Sequence, residues 1–207
     1  MSVAIPCLKH SLLAVAGSLA LSACNANSRE QSATAPQSRA VMLGGWRVEL
    51  EATTLADVAR HFGAGVPMHG AEHGMSVLCY ALRDGGSLTL GSSEMGGPSH
   101  QITEVTISAK PADAGMHCPS ITLALRDIAT SEGVSLGMTS AELERRMGRP
   151  GTPKEANVVA YPDSAIIPAS TSVDGVKRPV ASMDGATEAR LADGRIVELL
   201  VWQVTST

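Results

Sequence analysis

The sequence predicts an α+β fold in which short helices pack on an antiparallel sheet. Residues 54–63 and 139–148 each carry the start and stop signals of a short helix. Runs of residues with apolar, strand-like patterning follow both segments. In each half of the chain an Asp-Gly pair separates two such runs, at residues 84–85 and 193–194. Asp-Gly between apolar runs is a strong short-range signal for a β-hairpin.

The N-terminal 23 residues are predicted to be a signal peptide. Lys9 and His10 precede an apolar run over residues 11–21, which is too short to cross a bilayer as a helix but has the length of a signal-peptide hydrophobic region. Residues 21–24 read Leu-Ser-Ala-Cys and resemble the lipobox of bacterial lipoproteins. That resemblance implies cleavage before Cys24 and attachment of lipid to it. The alternative is an ordinary secretory signal in which Cys24 is incidental.

The lipobox resemblance also implies a location. Several acyl chains on one cysteine hold a protein durably to a membrane. Asn25 follows Cys24, whereas Asp at that place in Gram-negative lipoproteins often favours retention in the inner membrane. We therefore expect a lipid-anchored protein of the cell envelope, at the outer membrane and facing the periplasm.

Residues 24–40 are predicted to be the acylated cysteine and a flexible tether, because the segment is small and polar without periodic apolar residues. The globular part then holds two cysteines, Cys79 and Cys118. In an oxidising compartment two cysteines most simply form a disulfide. It would close a loop of about 40 residues and stabilise the fold by roughly 4 kcal/mol. Two unpaired thiols and metal ligation are the alternatives.

The two helical segments are identical at four of ten positions. Thr54 and Thr139 are predicted N-caps, and Asp57 and Glu142, three residues later, complete capping boxes. A glycine ends each segment, as is typical of a helix C-terminus. Helices of two to three turns are marginal alone, so each must lay an apolar stripe on a sheet. The stripes are Val58 with Phe62 and Leu143 with Met147.

Strands are predicted after each helix. Their ranges are residues 76–82, 87–90 and 102–108 in the first half, and residues 158–161, 188–192 and 195–202 in the second. A stretch with Pro and Gly up to about residue 185 is assigned to no strand. Residues 119–131 fit strand alternation first and helix spacing afterwards, so periodicity does not decide between them. The folded part is therefore divided into two helix-plus-strand repeats, residues 41–130 and 131–207.

Residues 133–150 read Gly-Val-Ser-Leu-Gly-Met-Thr-Ser-Ala-Glu-Leu-Glu-Arg-Arg-Met-Gly-Arg-Pro. This segment resembles the helix motif of small bacterial envelope lipoproteins, which include the SmpA/OmlA type of outer-membrane-assembly lipoprotein, and of secreted β-lactamase inhibitor proteins. The resemblance implies short helices packed on an antiparallel sheet. Two such units are typical of the inhibitors, whereas the assembly lipoprotein has one. The resemblance to the two-unit inhibitors therefore implies a sheet that binds a protein partner.

Composition narrows the function. Only five of 207 residues are aromatic and the net charge is -4, whereas binding of single-stranded nucleic acid needs exposed aromatic faces beside a basic groove. A G-x-S-x-G nucleophile motif is missing. We expect neither enzymatic activity nor a cofactor nor nucleic-acid binding. The predicted function is a protein-binding or inhibitor-like module with an envelope protein as partner, and an aromatic side chain exposed on the sheet is where that partner is expected.

Metal binding is the alternative function. Residues 69–73 read His-Gly-Ala-Glu-His and match the H-x-x-E-H motif of zinc peptidases, which must lie on a helix; the neighbouring Pro and Gly residues favour a loop. Imidazole and thioether groups suit Cu(I), and methionine as core filler is the competing explanation. A copper site requires residues 68–75 and 116–118 to converge. Its candidate ligands are His69, His73, Met75 and His117.

Overall fold

The structure is a computed structural model that describes residues 38–63, 68–69, 74–97, 99–112, 115–171 and 177–207. The chain divides into two compact units, Met1–Ala33 and Thr34–Thr207, and every described residue belongs to the second. The predicted signal peptide and Cys24 lie outside the described residues.

The described chain contains two α-helices, α1 (Leu55–Phe62) and α2 (Ser140–Met147), and short 3-10 helices at Glu94–Gly96 and Leu125–Asp127. The strands are β1 (Ala40–Leu43), β2 (Trp46–Glu49), β3 (Met68–His69), β4 (Ser76–Ala81), β5 (Ser87–Ser92), β6 (Glu104–Ser108), β7 (Ile128–Thr130), β8 (Thr152–Glu155), β9 (Val158–Ile167), β10 (Ser170–Thr171), β11 (Lys177–Arg178), β12 (Ala181–Ala192) and β13 (Arg195–Ser206).

Eight strands form one antiparallel sheet, here called the main sheet, in the order β3-β4-β5-β6-β13-β12-β9-β8. The small sheet has the order β2-β1-β7, and β10 pairs with β11. Tight turns join β4 to β5 and β12 to β13 at the two predicted hairpins. The described fold is thus rich in antiparallel sheet with two short helices, in agreement with the predicted class.

Both predicted helices are confirmed, including their caps. The Thr54 hydroxyl accepts a hydrogen bond from the Asp57 backbone N–H at 3.1 Å, and the Asp57 carboxylate accepts one from the Thr54 N–H at 3.1 Å. In α2 the corresponding distances between Thr139 and Glu142 are 3.3 and 2.8 Å. A left-handed glycine closes each helix. The caps therefore set both helix ends by contacts within one turn.

Replacing Thr54 with Ala is expected to cost about 1 kcal/mol of unfolding free energy, whereas Thr54→Ser retains most of the cap. Hydrogen bonds from Thr54 lower the pKa of the Asp57 carboxyl. The ionised form therefore stabilises the fold fully above its ordinary pKa of about 4, and this contribution is lost as the pH falls through the lowered folded-state value. Denaturant unfolding should show a smaller cost of Thr54→Ala at pH 2.5 than at pH 7. An equal cost at both would show that the carboxylate adds nothing to the cap.

The hydrophobic core lies between one face of the main sheet, the two helices and the small sheet. We call this face of the main sheet the covered face. Val58 and Leu143, from the predicted helix stripes, are fully buried in the hydrophobic core, and Phe62 and Met147 pack against this core. Its main-sheet members include Leu78, Tyr80, Leu88, Leu90, Val105, Ile107, Tyr161, Leu199 and Val201.

Four of the predicted strands are longer in the structure, β9 and β12 by the most. β9 continues through Pro162 and β12 begins before Gly185, so most of the stretch assigned to no strand belongs to the sheet or to β10 and β11. The Pro162 carbonyl accepts a hydrogen bond from Arg149 on the edge of β9 that β8 leaves free, so the missing N–H costs no ladder bond. A side chain at Gly185 would lie 2.7 Å from the Trp202 carbonyl oxygen, which is why glycine is required there.

Residues 119–131, for which periodicity left strand and helix open, form neither a single strand nor a single helix. Ile121 bonds to the edge of β4, and the short 3-10 helix and β7 follow. Arg39 and Ala40, which the prediction includes in the flexible tether, are buried, and Ala40 begins β1. The β1–β2 hairpin that follows was not predicted. Gly44 at φ 61° and Gly45 at φ 90° form its turn.

Arg39 connects the first described residues to the main sheet. Its guanidinium donates to the Thr187 hydroxyl at 2.9 Å and pairs with Asp163, which also pairs with Arg149 at 2.6 Å. The Arg39 backbone N–H donates to the Gln203 side chain at 2.8 Å. Arg39 therefore carries its charge into a buried position where an opposite charge and a hydroxyl meet its guanidinium, as burial of a charge requires.

Candidate functional site

The face of the main sheet opposite the core carries the candidate site. Residues paired directly across antiparallel strands project to the same face, and so do residues two apart along a strand. Register therefore gives two adjacent rows across β5, β6, β13 and β12. We call this surface the open face, and its eight residues are Gly91, Glu104, Trp202 and Ala186 in one row and Thr89, Thr106, Leu200 and Glu188 in the other.

Alternation along β6 and β13 separates the open face from the core. Val105 and Val201 point to the covered face and are fully buried. Trp202 and Leu200, the neighbouring apolar residues, neither belong to the core cluster nor pack against it. Both are partly exposed. In the described chain, the Trp202 indole and the Leu200 side chain therefore lie outside the hydrophobic core.

Trp202 is held in a defined orientation. Its indole Nε1–H donates to the Glu188 carboxylate at 3.3 Å. The Lys154 ammonium binds both oxygens of that carboxylate at 2.9 Å, from the edge strand β8. The chain of contacts fixes one edge of the ring and leaves the indole available at the surface.

Glu104 lies directly across from Trp202 in the register of β6 and β13. Its side chain reaches the other way, over β5, where a methyl group added to Gly91 would lie 2.6 Å from the Glu104 Cγ and Oε1 atoms. Burial raises the pKa of the Glu104 carboxyl above its ordinary value. Among the described residues no side chain pairs with or hydrogen-bonds to this carboxylate. The open face therefore holds a partly desolvated acid that has no side-chain partner within the described part of the chain.

Replacing Glu104 with Gln is expected to remove a pH-dependent loss of stability. An acid with a raised folded-state pKa binds protons more tightly when folded, so the wild type loses stability as the pH rises from about 4 through that raised value. The variant does not titrate there. Urea unfolding should therefore favour Glu104→Gln over the wild type more at pH 7 than at pH 4. A difference that stays constant between the two pH values would contradict the burial of this carboxylate.

A groove of about 610 Å³ beside α1 is the main rival to the open face. Trp46 stacks on His61 there with ring centroids 4.2 Å apart. Its charged lining residues pair with each other, Arg47 with Glu49 and Asp57 with Arg60. Trp46 also packs against the core. The polar groups of the groove are thus largely used by the fold, in contrast to Glu104.

The predicted disulfide is confirmed. Cys79 and Cys118 are joined with their Cα atoms 5.0 Å apart, within the usual range. Cys79 pairs with Thr89 across β4 and β5, so the disulfide lies beside the open face. It attaches residue 118 to β4 next to the point where Ala81 bonds to Pro119.

The predicted metal site falls largely on side chains outside those that the structure describes. His69 lies on β3 and not on the helix that the H-x-x-E-H motif requires, and His73 lies outside the described residues. His117 is exposed, Met75 is partly buried, and the sulfur of Cys118 is in the disulfide. Within the described ranges no three His, Cys, Asp or Glu side chains are placed to hold a metal ion.

The sequence predicts that Trp202 lies on a strand, but it does not predict which residues neighbour it. Glu104, Glu188 and Leu200 carry no motif, and they meet Trp202 only through pairing between strands that are distant in sequence. The strand patterns at residues 102–108 and 195–202 are the one signal that marks their common face. Reading them as a site requires knowing that β6 and β13 are neighbours.

None of the helices in the described ranges is long and apolar enough to cross a membrane. No family model, curated protein or solved structure matches this chain.

Proposed function

We propose that this chain is a non-enzymatic, lipid-anchored protein of the bacterial envelope that binds a protein partner through the open face. The observation that carries the proposal is Trp202, which lies on the open face, outside the core. A large aromatic side chain that lies on the surface, outside the core, is a typical binding hot spot. Thr106 and Glu188, on the two neighbouring strands, place polar groups beside it, as in the rim of a protein interface.

The rigidity of the surface supports the same function. The open face consists of four central strands of an eight-stranded sheet, so its backbone is hydrogen-bonded on both sides. Glu188 and Lys154 hold the indole. A preordered surface loses little conformational entropy when a partner binds.

A two-repeat architecture is part of the proposal. Each helix is followed by four strands of the main sheet, and the order β3-β4-β5-β6-β13-β12-β9-β8 places the last main-sheet strands of both halves side by side. The N-cap Thr54 bridges to Gln101, just before β6, and the N-cap Thr139 bridges to Arg195, at the start of β13. Equivalent connections in both halves favour duplication of one unit, as the resemblance to the inhibitor proteins and SmpA/OmlA lipoproteins implies.

The proposed location rests on chemistry at two places. Residues 21–24 resemble a lipobox, with Cys24 as the acylated residue and the outer membrane as the destination. The Cys79–Cys118 disulfide is compatible with an oxidising compartment such as the periplasm. The tether between Cys24 and the fold would present the open face to envelope proteins.

Site-specific photo-crosslinking in bacterial cells that produce the full chain tests the function. A photoreactive residue replaces Thr106 or Leu200 on the open face, and Glu144, an exposed residue of α2, is the matched control. We expect the same crosslinked protein from both open-face positions and not from position 144. Equal products from all three positions, or none from the open face, would refute the proposal.

A further inference from the structure

We propose, resting on the protein-binding function above, that the partner places an arginine or lysine side chain on the Glu104 carboxylate beside the Trp202 indole. The two residues face each other directly across β6 and β13. Glu104 reaches over Gly91 on β5, and Trp202 reaches toward Glu188 on β12. The carboxylate therefore lies over β5 and the indole leans toward β12, on either side of the β6–β13 pair.

The charges around the open face indicate which charge a partner group should carry. Lys154, which borders it, is paired with Glu188 at 2.9 Å, and Arg190 is paired with Glu198 at 3.3 Å. Glu104 has no such pair among the described residues. The surface therefore presents an unmatched negative charge, and its neighbouring basic side chains are already used. A cationic group on the partner is the complement.

The partial burial of Glu104 favours a partner group that carries a positive charge. A partly buried charge without a partner destabilises the fold, and an apolar or amide side chain at this position would avoid the cost. Gly91 provides the space that the Glu104 side chain fills. A partner cation would compensate the carboxylate at the moment when docking removes its remaining water.

Trp202 makes arginine and lysine better occupants than a neutral donor. A cation is attracted to the face of an indole, most strongly where water is excluded. An arginine side chain can also stack on the ring while its planar guanidinium donates to a carboxylate. The Glu188 hydrogen bond holds the ring in one orientation.

Peptide titration of the full-length protein tests the inference. The probes are the acetylated, amidated tripeptides Ala-Arg-Ala and Ala-citrulline-Ala, which have nearly the same shape but differ in charge. The readout is the shift of the Trp202 indole N–H signal in NMR spectra, assigned with Trp46→Phe. We expect about fivefold tighter binding of the arginine peptide, the upper end for a solvent-accessible charge pair.

Two variants with matched chemistry control the experiment. Glu104→Gln should abolish the arginine preference while leaving the protein folded, as judged by its circular dichroism. Glu144→Gln removes an exposed carboxylate of α2, away from the open face, and should preserve the preference. Equal binding of both peptides to the wild type, or a preference that survives Glu104→Gln, overturns the inference.

The peptide titration tests the cation contact, and the crosslinking tests the binding function, so the two can fail separately. If arginine and citrulline peptides bind equally while Thr106 and Leu200 still crosslink a common protein, the open face binds a partner through other contacts. If no protein is crosslinked from the open face, the binding function itself falls, whatever the peptides show.

Discussion

Replacing Trp202 with Ala is expected to weaken binding of the partner captured at Thr106 by at least about 30-fold, which is about 2 kcal/mol. The indole is the largest apolar group of the open face, and Glu188 holds it in place. The substitution also leaves Glu188 without its indole donor. Calorimetric titration of the purified partner against wild type and variant measures the change.

Trp46→Phe is the matched control for Trp202→Ala. Trp46 lies beside α1, where it stacks on His61, and it is not part of the open face. We expect its conservative replacement to leave partner affinity unchanged within about twofold. Both variants should unfold near the wild-type temperature. An unchanged affinity of Trp202→Ala, with the protein folded, would place the binding surface elsewhere.

Removal of the disulfide by the double substitution Cys79→Ala and Cys118→Ala is expected to cost about 4 kcal/mol of unfolding free energy. The cysteines are 39 residues apart in sequence, and opening a loop of this length restores that much chain entropy to the unfolded state. The midpoint of thermal unfolding should fall by roughly 8 to 16 °C for a domain of this size. Alanine avoids placing a hydroxyl at the buried Cys79 position.

Reduction of the wild type provides the control for this double variant. Dithiothreitol should lower the unfolding free energy of the wild type to that of the double variant and leave the double variant unchanged. A cost below about 1 kcal/mol would mean that backbone pairing retains much of the loop order even in the unfolded ensemble. The bonds that connect β4 to the following segment, Ala81 to Pro119 and Ile121 to Ala81, would then be the first to examine.

The helices could be predicted because their determinants lie within a few residues of each other. Thr54 bonds to Asp57 and Thr139 bonds to Glu142 within one turn, and a glycine supplies the left-handed end of each helix. The disulfide could be predicted by another local route, a count of cysteines in an expected oxidising compartment. Neither inference requires knowledge of which strands are neighbours.

The longer strands could not be predicted because distant contacts support them. Pro162 and Gly185 are poor strand residues on local grounds. Pro162 is tolerated since its missing N–H lies at a free edge, and Gly185 is needed since Arg39 and Trp202 approach it closely. In sequence, Arg39 cannot be distinguished from the polar tether residues before it. Its role depends on contacts with Thr187 and Asp163, which are distant in sequence.

The sequence by itself determined the two capped helices, the hairpin turns, the cysteine pair and the strand character of the segment around Trp202. These follow from contacts between near neighbours and from patterns along a single strand. Only the tertiary structure decided that β6 lies beside β13, and with it the meeting of Glu104 and Trp202 on the open face. The reason is physical: alternation assigns side chains to two faces, but burial against the helices and the small sheet selects which face becomes the core.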